Sequence, residues 1–182
     1  MLQIVVPASS ELYDERTNTF FTTKEQTLQL EHSLVSLSKW ESKWGKAFLS
    51  KHKTLTQEET IDYIKCMTLT QNVKPEVYEV LTQENIDTIS AYIEAPMTAT
   101  YFSKGLNGPP NREQITSELI YYWMIALNIP FECQKWHLNR LLTLIRVCNI
   151  KNQPPKKMGK KALMSRNAAL NAARRKQLNT TG

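Results

Sequence analysis

Cys133 and His137 stand four residues apart in CQKWH, a spacing that puts two side chains on one face of a helix, and a thiolate with an imidazole is a donor pair suited to zinc. Two donors do not close a tetrahedral site, and no second pair lies near in sequence, so a core thiol and a hydrogen-bonded imidazole is the favoured reading. His32 beside Glu31 resembles half of an acid–base pair, but no nucleophile or second carboxylate can be placed next to it. The chain has five glycines and contains none of GxGxxG, the phosphate-cradling GxxxxGK[ST], GxSxG or HExxH. These residues predict a protein that is not an enzyme, with no catalytic residue, cofactor or metal.

Recognition is the other chemistry that the residues offer. Trp40 and Trp44 lie one helical turn apart in SKWESKW, and Phe48 follows a turn later. Turned inward, such a ridge is core, the commoner arrangement. Turned outward, it is a docking face, because Trp combines a large apolar area with an N–H donor. Trp123 and Trp136 stand in apolar helical patterns and read as core. Charge is sharply divided: residues 151–182 hold nine Lys or Arg and no acid, against fourteen basic and seventeen acidic residues in the first 150. Such a tail could hold a phosphate backbone, dock on an acidic protein surface or remain solvated. It has no aromatic residue, which weakens single-stranded nucleic acid as its ligand. The candidate partner contacts are therefore Trp40, Trp44 and Phe48, with Arg174, Arg175 and Lys176 as electrostatic helpers.

The elements that must position these residues are mostly helices. Leu2–Val6 and residues 19–22 are rich in β-branched or aromatic residues and flank turn-prone residues 14–18, which predicts two strands of a small N-terminal sheet. Residues 28–31 alternate like a third strand, in competition with helical spacing through Leu30, Leu34 and Leu37, and a helix is expected over 33–44. Thr56 and Glu59 are spaced as a capping box ahead of Ile61, Ile64 and Met67. Pro75 opens a short helix to Leu81, and Thr82 caps another that Pro96 stops. GLNGPP (105–110) reads as an exposed loop. After it come a helix over 115–127, apolar on nearly every side and so expected to be central and buried, and another over 133–148. Pro154 and Pro155 end the fold, and residues 162–178 have helix propensity with few large apolar groups, which predicts a helix stable mainly when docked. The expected architecture is α+β and predominantly α-helical: one domain over 1–150 with a small N-terminal β-sheet on a helical bundle, then a basic, partly helical extension over 151–182.

Three cysteines without a CxxC pair, set in apolar patterns, predict buried thiols and a reducing compartment. Nothing at the N-terminus has the form of a signal peptide, and the longest apolar stretch, 119–129, is about half the roughly 20 residues that a bilayer span needs. No membrane association is expected.

The stretches LQLEHSLVSLSKWESKW (28–44), YYWMIALNIPFECQKWHLNRLLTLIRVCNIKNQPPKKM (121–158) and MSRNAALNAARRKQLN (164–179) resemble a family of small proteins encoded among the tail genes of siphovirus-type tailed bacteriophages. The resemblance runs nearly the whole length. It implies a tail assembly chaperone of the host bacterial cytoplasm: a protein absent from the finished particle that keeps the long, helical tape-measure protein soluble while tail tube subunits assemble around it. Such chaperones are often made in a short form and a frameshifted longer one. The family brings no catalytic motif and no binding residue to transfer. The rival expectations are a structural virion component of the neck or connector, and a nucleic-acid-binding protein acting through the basic tail.

Overall fold

The computed structural model describes residues 1–14, 19–50, 55–102, 114–153 and 159–180. The chain divides into two compact units, Met1–Asn149 and Ile150–Gly182. The fold is mostly helical, with small antiparallel strand pairs at the N-terminus packed against helices.

Strand β1 (Leu2–Val6) pairs with β4 (Gln26–Leu30), Leu2 opposite Leu30 and Val6 opposite Gln26. Both keep a period of two: Ile4, Val6, Leu28 and Leu30 are buried, while Gln3, Val5, Thr27 and Gln29 face outward. Strands β2 (Ser9–Asp14) and β3 (Thr19–Thr23) form a separate ladder with an irregularity between Ser9 and Leu12. The strands expected at Leu2–Val6 and 19–22 thus exist but do not pair with each other; each takes the neighbour whose register suits it. Strand β2 was not expected, since SSELYD has little alternation. Of the turn expected over 14–18, residues 15–18 lie outside the described residues, as does the GLNGPP loop.

The second edge of β4 is occupied too. Glu31 N–H donates to the Met67 carbonyl at 2.9 Å, Leu69 N–H to that of Gln29 at 2.8 Å, and Gln29 N–H to Thr70 Oγ1 at 2.9 Å. Just beyond β4, Leu138 N–H donates to the His32 carbonyl at 2.7 Å. One short strand and its continuation therefore collect three distant parts of the chain, which satisfies backbone groups that an open edge would expose.

Caps set the helix starts. Helix α1 (Leu34–Trp44) begins after Ser33, whose Oγ accepts from Ser36 N–H while Ser36 Oγ accepts from Ser33 N–H, and it ends at Gly45, in the left-handed region at φ 61°. Helix α2 (Gln57–Met67) has the expected Thr56/Glu59 box, and α3 (Gln83–Glu94) has a Thr82/Asn85 box. The helix expected after Pro75 is a single 3-10 turn, Pro75–Tyr78. Thr116 caps α4 (Ser117–Ala126).

Glu41 ties α1 to its surroundings. One carboxylate oxygen accepts from Phe48 N–H at 2.9 Å and the other from Ser117 N–H at 2.7 Å, so this buried side chain satisfies an orphan donor at the start of α4.

Two helical expectations are corrected. Helix α4 is not buried all round: Ile120 and Met124 face the core, but Tyr122 and Ile125 are 63% and 61% exposed. Nor is there one helix over 133–148. A 3-10 turn, Phe131–Lys135, is followed by extended Trp136, and α5 (Leu138–Asn152) starts only after His137 has bridged to Ser33. Cys133 and His137 therefore do not share a helix face. Trp123 and Trp136 are half-buried at the margin of the core, Trp136 with the Arg140 guanidinium 4.1 Å from its ring centre. Of the thiols, Cys133 is buried and Cys66 and Cys148 are half-buried. Helix α6 (Lys160–Leu178) belongs to the second unit. No helix among the described residues is long and apolar enough to cross a membrane.

Candidate docking surface

The residues that looked most like chemistry meet inside the first unit, where their hydrogen bonds are used for structure. His32 and His137 are both buried, with ring centroids 5.0 Å apart. The backbone N–H of Asn139 donates to His137 Nδ1 at 3.3 Å, so the ring proton sits on Nε2 and donates to the Tyr92 carbonyl at 3.0 Å. Both nitrogens of a neutral imidazole are thereby satisfied. His32 Nδ1 lies 2.6 Å from the Tyr63 hydroxyl, and Tyr92 O–H donates to Glu31 at 2.8 Å. Burial, reinforced by the proximity of His137, lowers the pKa of His32 to about 4, and burial lowers that of His137 as well. Among the described residues, no group of three or more His, Cys, Asp or Glu is arranged to hold a metal ion.

Of the Trp40 ridge, only Trp40 is fully interior; Trp44 and Phe48 are half-buried. Trp40 is 1% exposed; its Nε1–H donates to the Glu59 carbonyl at 2.9 Å, and its ring stacks on Trp44 and meets Phe48 edge-on at 5.3 Å. Trp44 is half-buried and donates through Nε1–H to Asp62 Oδ2 at 2.9 Å. Burial pushes the Asp62 carboxyl up, but hydrogen bonds from Lys43 and Trp44 outweigh it and hold the group below the usual range. Phe48 stacks on Tyr63 at 4.0 Å and is the member of the trio that reaches an open cavity.

That cavity is a groove of about 580 Å³ between α2 and α3. Phe48, Tyr63 and Ile64 line it from one side, and Ile86, Ile89 and Ile93 from the other. On the same edge of α3 stand Asp87, Ser90 and Glu94; the helix carries three acids and no base, and none of them is in an ion pair among the described residues. A second apolar surface is the outer face of α4, where Tyr122 and Ile125 lie one turn apart. Phe131 is 54% exposed, its ring 6.5 Å from that of Tyr121. Helical periodicity marks Ile64, Ile86, Ile89 and Ile93 and the 115–127 stretch as apolar, and it carries no signal that tells which of them another element will cover.

In the second unit, α6 has no buried residue. Arg174, Arg175 and Lys176 are exposed, as expected of electrostatic contacts. Leu163, Met164, Leu170 and Leu178, the few large apolar groups of this helix, are exposed as well.

No family model, curated protein or solved structure matches this chain.

Proposed function

We propose that this protein is a non-enzymatic chaperone or adaptor of phage tail assembly that binds the tape-measure protein in the host cytoplasm. The resemblance of three of its stretches to small tail-gene proteins supplies the context. The observation that carries the reading is the outer face of α4, where Tyr122 and Ile125 stay more than 60% exposed on a helix whose other face is core. A helix presenting adjacent exposed apolar side chains is suited to covering the apolar stripe of another helix, the kind of surface that a tape-measure protein exposes before the tail tube encloses it.

Co-expression with the tape-measure protein of the same genome, followed by a pull-down in moderate salt, tests this. Soluble tape measure should copurify with the chain and be lost with Tyr122→Ser/Ile125→Ser, a variant that touches only exposed positions and should melt like the parent. Tape measure that is insoluble with or without the chain would overturn the proposal. Recovery of the chain in purified particles would favour the neck or connector reading.

A second reading draws on α6, with six exposed cations and no acid. It is nucleic-acid binding through the tail, which requires duplex affinity that falls steeply with salt and vanishes on reversal of Arg174, Arg175 and Lys176.

A further inference from the structure

We infer that the groove between α2 and α3 receives α6 of a second copy of this chain. The two surfaces complement each other in charge, in apolar content and in spacing. Helix α6 carries six cations and no acid; α3, which forms one wall of the groove, carries Glu84, Asp87 and Glu94 and no base. Charges so segregated attract at a distance of one Debye length, about 8 Å at physiological ionic strength.

The apolar parts match as well. Leu163 and Leu170 are seven residues apart on α6, about 10.5 Å along the axis and on one side of the helix. Ile86 and Ile93 repeat that interval on the groove wall, with Ile89 between them. Leu163 and Leu170 are each 45% exposed, whereas the groove is floored by Tyr63 and Ile64, at 2% and 1%. Laying the leucines over these residues removes apolar area from water on both partners and brings Arg174, within the leucine stripe, toward the acidic edge of α3. Reciprocal exchange between two copies closes the assembly with two equivalent contacts. The chain alone is enough for this contact, so it does not depend on the tape-measure reading.

Sedimentation of the full chain across concentration and salt is the test. A monomer–dimer equilibrium that weakens as salt is raised is expected. Asp87→Lys/Glu94→Lys and, separately, Arg174→Glu/Arg175→Glu should each weaken it by at least about tenfold, the equivalent of roughly 1.4 kcal/mol. An equal mixture of the two variants should restore it, since each then offers the helix that the other's groove accepts; this rescue separates docking from any loss of fold or of α6 helicity. A chain that is monomeric at every concentration, or association indifferent to both reversals, overturns the inference and leaves the groove to a partner of other chemistry.

Discussion

His32 and His137 show how a buried polar pair makes stability depend on pH. Both are held neutral in the fold, with His32 lowered to about 4 from an unfolded value near 6.5. The unfolded chain therefore binds protons first. The contribution of His32 is fully present above about pH 6.5 and is lost as pH falls toward 4, at up to about 1.4 kcal/mol per pH unit, and the lowered His137 acts in the same direction. Urea denaturation between pH 7 and 4 should show this decline, and His32→Gln, which has no titrating ring, should make it shallower, leaving the part due to His137. Asp62 and Glu59, held below the usual carboxylate range, add their loss only at lower pH. Trp40→Ala removes the centre of the aromatic cluster and the side-chain donor to the Glu59 carbonyl. A cost of about 3 to 5 kcal/mol is expected, lowering the melting temperature by roughly 6 to 20 °C in a calorimetric scan. The sequence placed Trp40 and Trp44 on one helix face; the direction of that face was not legible, because a helical interval has the same form against a core as against water.

Elements whose ends are made by local chemistry could be read closely. Thr56 and Glu59 start α2 as their spacing required, and their reciprocal hydrogen bonds involve only residues within one turn. Thr56→Ala should cost about 1 kcal/mol, measured by thermal melting. Where long-range pairing decides, local pattern does not suffice. His137 leaves the helical path because its backbone bridges to Ser33, over a hundred residues earlier in the chain. Strand β1 takes β4 as its neighbour, not the nearer β3, which no local pattern announces. Hydrogen exchange should expose a contrast at this scale. Amides of α1, closed by a capping box and buried on one face, should exchange at least about a hundredfold more slowly than those of α6 at concentrations where the chain is monomeric.

At the scale of the whole molecule, the segregation of charge was legible from the start, as it follows from composition alone: an acid-free tail after a mildly acidic body. Its complement, the apolar groove with an acidic edge, was not, because it exists only where α2 and α3 stand apart. The stitching around β4 bears on how the protein is made. In order of synthesis, the partners of strand β4 and the residues after it are β1, then residues 67–70 at the end of α2, then Leu138. At about 5 to 20 residues per second, a ribosome adds Leu138 some 5 to 20 s after His32. For that interval the nascent chain holds His32 with its final backbone partner still unmade. The His32 carbonyl therefore waits on the far end of the fold, and a message that stalls before α5 yields a chain in which it has no Leu138 amide to accept from.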